Sequence, residues 1–205
     1  MYSMNFDIVI GKYRLTALEK AAIKCSVENL ADTADITLPG TLFNGTLEIE
    51  GKIAEGDAVR ILLGYDQVLR EEFAGYVNEI ATDNDSVRIR CEDELYKFRK
   101  DLKDRVLKNI TVKALLTSVA QEVGSYEIEC DYDFTYDSFT IHAATGYDVL
   151  RKVQSETKAN IYLRGKTLHV HPQYAQIGGK VVYDFAVNIE KSDLKYRDAT
   201  KRKFL

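Results

Sequence analysis

A chain of 205 residues, 45% hydrophobic and 29% charged, has the composition of a globular protein and is long enough for one large core or two small ones. Its net charge of −4 and pI near 5.5 give no electrostatic case for non-specific nucleic-acid binding. The dense basic runs, Lys97–Lys103 and Lys195–Lys203, are both interrupted by Asp and read as solvated faces or protein contacts.

No stretch approaches the roughly 18 consecutive apolar residues of a membrane helix. The N-terminus lacks a basic start and carries Asn5 and Asp7, so no signal peptide is expected. Cys25, Cys91 and Cys130 are widely spaced and make no disulfide framework. Folding in a reducing cytoplasm is expected, with Cys25 and Cys91 as buried thiols among apolar neighbours.

In chain order, Phe6, Ile8 and Ile10 alternate with polar neighbours, which predicts a strand closed by the turn Gly11-Lys12. Ala22–Val27 and Ala34–Leu38 repeat the pattern, the second ending at the turn signal Pro39-Gly40. Gly56-Asp57 leads into the nearly continuous apolar run Ala58–Tyr65. Glu72–Ala81 and Ser86–Cys91 follow, separated by Thr82-Asp83-Asn84-Asp85. Short strands spaced by turns predict a small barrel or sandwich.

Asp93–Arg105, with Leu95, Phe98 and Leu102, reads as a short helix or a connector. Thr111 caps a helix whose Val112, Leu115, Leu116, Val119 and Val123 form one stripe, with Gly124 placed to end it. Tyr126–Cys130 and Ser138–His142 read as strands. A second helix begins at Thr145, whose Thr-x-x-Asp spacing to Asp148 suits a capping box, and runs to about Lys158. Asn160–Leu163 and Thr167–His171 form a hairpin about Arg164-Gly165-Lys166. Gln173–Lys180 reads as a loop. Val181–Ile189 reads as one more strand, which either returns to a sheet already built or opens a second barrel, before a charged tail.

Chemistry-bearing residues are sparse. His169 and His171 share a strand face and offer two metal ligands, but no third ligand stands at ligand spacing, so both are read as structural or surface residues beside His142. Asp131, Asp133 and Asp137 lack the Gly and Glu positions of a calcium loop. The carboxylates Glu71-Glu72 and Glu92-Asp93-Glu94 lie in charged stretches read as exposed, with none set in a dry pocket. No hydrolase, phosphate-loop, dinucleotide or zinc-protease motif occurs. No catalytic residue, cofactor or metal is expected.

The segment Thr145–Val170, TGYDVLRKVQSETKANIYLRGKTLHV, resembles a signature of phage late control protein D and its relatives, the VgrG-like baseplate hubs of contractile injection systems. Upstream, NITVKALLTSVAQEVG (109–124) is similar to the helix preceding that signature. ADITLP (34–39), GDAVRI (56–61) and FAGYVNEI (73–80) resemble the family's first tube-like barrel. The likeness covers roughly residues 5 to 190.

It implies an α+β, mainly β chain: a tail-tube-like barrel domain over 1–98, an α/β module of two helices and a hairpin over 99–175, and a C-terminal strand and tail over 176–205. It implies a non-enzymatic hub, made in the bacterial cytoplasm and assembled as a homotrimeric ring in a tail baseplate or injection apparatus. The partners would be tail-tube and spike proteins, with DNA or effector passing a lumen that does not bind it specifically, and no membrane insertion. The family carries a complete second barrel after the module. The end at Leu205 therefore implies a fragment, a reduced variant or a hub split between two proteins.

The residues expected to carry assembly are Arg60 and Tyr65 on the first apolar strand, Phe73, Gly75, Tyr76 and Val77 on the next, and Lys195 and Arg197 in the tail. The competing reading is a small-barrel binding module for nucleic acid or carbohydrate, with Tyr65, Tyr76, Tyr96 and Phe98 as stacking aromatics. A tail-tip cell-wall hydrolase is a third, with no carboxylate or metal constellation to support it.

Overall fold

The structure, a computed structural model, describes residues 4–26, 29–39, 53–66, 68–82, 86–173, 182–184 and 186–187. Residues 1–173 form one compact unit and 174–205 a second. The described strands and helices all belong to the first, and the chain is α+β and mainly β.

The first part of that unit is a seven-stranded antiparallel sheet in the order β2-β1-β5-β6-β7-β4-β3. The strands are β1 (Met4–Ile10), β2 (Tyr13–Arg14), β3 (Lys20–Lys24), β4 (Thr33–Pro39), β5 (Ala58–Tyr65), β6 (Val68–Thr82) and β7 (Ser86–Glu92). Period-two alternation sends Ile8, Ile10, Ile36, Leu38, Val59, Ile61, Val87 and Ile89 to one buried core. Each such side chain contributes roughly 1.5–3 kcal/mol of burial. Ile23 and Cys25, at one edge of the sheet, line a cleft together with Leu63 and Val68. The sheet therefore curls back on itself, but among the described residues it does not close into the expected barrel.

β6 is 15 residues long and serves two neighbours in turn. Its first half pairs with β5 and its second with β7, and register shifts at Ile61/Leu62 and Val77/Glu79 mark bulges that bend it between them. Gly75 sits at the crossover. A Cβ there would lie 2.1 Å from the Glu92 carbonyl oxygen, so only glycine fits.

Asp93 starts the second part by capping a 3-10 helix (Glu94–Arg99), its Oδ1 accepting from Leu95 N at 3.0 Å. β8 (Arg105–Thr111), α1 (Val112–Val123), β9 (Glu127–Cys130), β10 (Thr135–Ile141), α2 (Gly146–Thr157), β11 (Ala159–Arg164) and β12 (Thr167–Pro172) follow. β8 pairs with β10, while β11, β12 and β9 form a sheet in which β9 runs parallel to β12. Leu95, Phe98, Leu116, Val119, Phe139, Leu150, Ile161 and Val170 meet in a second core. Both predicted helix caps form: Thr111 Oγ1 accepts from Ala114 N, and Thr145 and Asp148 complete a capping box.

Several expectations are corrected. The 93–105 segment holds a short helix, as expected, of 3-10 type and ending at Arg99, but its last residue opens the strand β8, which the sequence pattern does not show. Its alternation is broken at Asn109, whose φ is 49°, and Val106 faces solvent. Strand β3 ends at Lys24 because Ser26 N donates to Asp32 Oδ1, which turns the chain, and Cys25 is exposed rather than buried; Val27 lies outside the described residues. Gly124 ends α1 in an extended conformation, where a Cβ would press on the Tyr126 ring at 3.0 Å, so close approach rather than a left-handed cap calls for glycine.

In the second unit, residues 182–184 are irregular and 186–187 form a turn, so the strand expected over 181–189 is not present there. Asp184 Oδ1 accepts from Ala186 N and its carbonyl from Val187 N, a local bonding pattern that competes with a ladder. The rest of that expected strand, and the loop expected over 174–180, lie outside the described residues.

Candidate assembly surface

Register brings three large apolar side chains into one row at the end of the first sheet. Met4 on β1 stands opposite Tyr65 on β5, and Tyr65 stands opposite Val68 on β6. Directly paired residues share a face, so the three lie side by side across three strands. The same face of β5 buries Val59 and Ile61 further in, yet Met4, Tyr65 and Val68 are 64%, 58% and 67% exposed. The core-facing side of the sheet thus runs on past its own core as an apolar surface. It borders an open cleft of about 670 Å³, whose lining includes Ile23 and Cys25 together with the charged Arg70 and Glu72.

The neighbouring edge is also available. Residues 68–74 of β6 pair with β5 on one side, and among the described residues no strand pairs with their other side, because β7 joins only from Tyr76. Unpaired N–H and C=O groups along a strand are a template for another chain. This edge faces a cavity of about 520 Å³ with Asp32, Glu71, Glu72, Asp93 and Glu94 in its lining.

The acidic groups there are not equivalent. Burial pushes the Asp93 carboxyl up to about 6, although it accepts hydrogen bonds from Leu95 N and Asp32 N. Burial also acts to raise Glu94, but hydrogen bonds from Lys166, Lys97, Tyr126 and Tyr76 outweigh it and hold the group down to about 2. Glu92 is buried and bound in two-pronged fashion by Arg99, Nε at 2.7 Å and Nη2 at 2.5 Å, with Asn78 Nδ2 at 3.3 Å. The reading of Glu92-Asp93-Glu94 as an exposed run is therefore corrected: Glu92 is buried, and Asp93 and Glu94 are half-buried. The junction between the two cores draws Glu92 and Asp93 inside, where the backbone amides of Asp32 and Leu95 and the Arg99 guanidinium can satisfy them.

The residues expected to carry assembly are dispersed. Tyr65 lies in the exposed row. Arg60 lies on the other face of β5, paired with Glu71 at 2.5 Å. Phe73 and Val77 are buried in this chain's own core, and Gly75 is pressed against Glu92. Tyr76 stacks on Tyr96 with centroids 5.7 Å apart, under Lys97. Lys195 and Arg197 lie outside the described residues. Met4 and Val68 were missed. They end the alternation of their strands, and only the cross-strand register shows that they meet Tyr65.

The four aromatics of the binding-module reading do not form one stacking face, since Phe98 is wholly buried in the second core. His142 is exposed and pairs with Asp104. His169 and His171 share a face of β12, as read, and the parallel pairing of β9 sets Glu129 beside them.

No family model matches the sequence, and no curated protein matches it significantly. Among solved structures, the chain is similar to the 43 kDa tail protein of prophage MuSo2 from Shewanella oneidensis, with a TM-score of 0.58 and 15% identity over 81% of this chain and 53% of that one. The fold is that of a prophage tail protein. The tail protein from Neisseria meningitidis MC58 gives a TM-score of 0.52 at 12% identity, over 82% of this chain and 51% of that one. A chain of the Francisella PdpA-VgrG complex gives 0.51 at 12% identity, over 83% and 31%. The resemblance to tail and VgrG-like proteins read from the motifs is thus borne out at the level of fold. The chain spans about half the length of the two tail proteins.

Proposed function

We propose that the chain is a structural protein of a phage tail or phage-tail-like contractile injection system, working as the baseplate hub that joins tube to spike. The observation that carries this reading is the tail-protein fold shared over four-fifths of the chain. The exposed row Met4–Tyr65–Val68 and the open edge of β6 support it, because a ring-forming subunit needs an apolar face and a strand edge that a neighbour completes. In this reading three copies form a ring between tube and spike proteins, made in the bacterial cytoplasm and assembled in the tail. The segment 1–98 contributes the contact, the module 99–175 braces it, and the tail 176–205, with Lys195 and Arg197, adds an interchain contact. DNA or effector passes the lumen without specific binding.

A photo-crosslinking residue placed at Tyr65 tests the contact. Covalent trimers on a denaturing gel are the expected product, and Val68→Glu should abolish them. Crosslinks that stay within one chain at all concentrations would overturn the proposed surface.

A further inference from the structure

The three-stranded sheet β11-β12-β9 carries a cluster of potential metal ligands. β12 presents His169 and His171, two residues apart, on one face. β9 runs parallel beside it with Glu129 opposite His169, and Glu129 Oε2 lies 3.0 Å from His169 Nδ1. One ligand atom from each of Glu129, His169 and His171 falls within 4.8 Å of the others.

His171 decides what the cluster is for. Its side chain is only 4% exposed, and its Nδ1 lies 2.8 Å from Asp131 Oδ2. A carboxylate only accepts, so Nδ1 is the donor, and in the neutral ring the lone pair sits on Nε2. That Nε2 is buried and has no hydrogen-bond partner among the described residues. A histidine held through Nδ1 by a carboxylate, with a buried Nε2 lacking a hydrogen-bond partner and with a second histidine and a glutamate in the same cluster, has the character of a metal ligand with its outer-shell partner. Tyr162 stacks on His169 with centroids 5.0 Å apart and planes 13° apart, which restrains that ring. Glu129 is 55% exposed and leaves a way in from solvent.

We infer that Glu129, His169 and His171 form a site for a divalent transition-metal ion of the zinc class, with Asp131 as the positioning residue for His171. Two nitrogens and one carboxylate oxygen suit zinc, with a solvent molecule completing four-coordination. Ligands about 2.1 Å from a tetrahedral zinc stand about 3.4 Å apart. Glu129 and His169 stand 3.0 Å apart and the cluster spans at most 4.8 Å, so small side-chain shifts accommodate the ion, which displaces the hydrogen shared by Glu129 and His169. The bound ion fastens β9 to β12 where the chain leaves the sheet. This inference does not depend on what the chain assembles with.

The test is zinc content and affinity of the full chain, stripped with chelator and titrated with zinc alone, with cobalt as the spectroscopic probe. One zinc per chain and a tetrahedral cobalt spectrum are expected. His169→Ala and Glu129→Gln should each weaken binding at least tenfold, Asp131→Asn about 10–100-fold, and His142→Ala not at all. Because His171 is buried and its variants risk misfolding, the exposed Glu129 variant is the decisive one, checked for an unchanged circular dichroism spectrum. Binding that survives both His169→Ala and Glu129→Gln, or no zinc retained by the unmodified chain, would overturn the site.

Discussion

Replacing Arg99 with methionine strands a buried carboxylate and so reports on how the two cores are joined. Glu92, at the end of β7, has a side chain only 10% exposed, and Arg99, at the end of the 3-10 helix, supplies two of its hydrogen bonds. The guanidinium also lies 4.4 Å from the Tyr147 ring on α2. Removing one partner of a fully buried pair costs about 3–5 kcal/mol, because the other charge stays behind unpaired. Arg99 is 40% exposed, so water screens part of the pair, and Asn78 remains on Glu92. Discounting for both leaves about 2–3 kcal/mol, with the lost contact to Tyr147 adding about 0.5 kcal/mol. The assay is urea unfolding followed by circular dichroism, run as a double-mutant cycle with Glu92→Gln. Arg99→Met should lose about 3 kcal/mol, and adding Glu92→Gln should recover part of it by removing the stranded charge. A loss under about 0.5 kcal/mol, or strictly additive variants, would refute the reasoning.

Gly75→Ala should cost about 3 kcal/mol or more and lower the melting temperature, because the Glu92 carbonyl already occupies the space of the new methyl group. Asp93 has a folded pKa of about 6 against an ordinary 3.8, so the native state holds its proton more tightly than the unfolded chain. Its contribution therefore favours folding at acid pH and is lost between about pH 4 and 6, by roughly 2–3 kcal/mol. Denaturant titrations should show that slope and Asp93→Asn should flatten it, while Glu94, held at about 2, acts in the opposite sense below pH 4.5. Thr145→Ala should destabilise by about 1 kcal/mol in thermal melts through loss of the α2 capping box. Tyr65→Glu with Val68→Glu should leave the melting temperature within a few degrees, since both side chains are exposed, yet abolish self-association.

Local rules made much of this fold legible. The strands β1, β4, β5 and β7, both α-helices with their caps, and the β11–β12 hairpin follow from periodicities of two and 3.6 and from Thr, Gly and Asp at the right offsets. What stayed hidden depends on partners distant in sequence. β8 is a strand because β10 pairs with it across a helix, and Val106, exposed on it, gives no burial signal. Glu92 and Asp93 read as surface charge because the groups that satisfy them, Arg99 and the Asp32 amide, meet them only at the junction of the two cores. The same holds for the sites. Tyr65 was chosen from sequence, but Met4 and Val68 join it only through register. Glu129 stands far upstream of His169 in the chain, and only parallel pairing puts it opposite.

Assembly through the exposed row is the central claim, and the solution mass measured by size exclusion with light scattering across a concentration series tests it most directly. A hub subunit should run at three times the 23.3 kDa chain mass and fall to one chain mass in the Tyr65→Glu, Val68→Glu variant. A mass of 23.3 kDa for the unaltered chain at every concentration would contradict self-assembly through this surface.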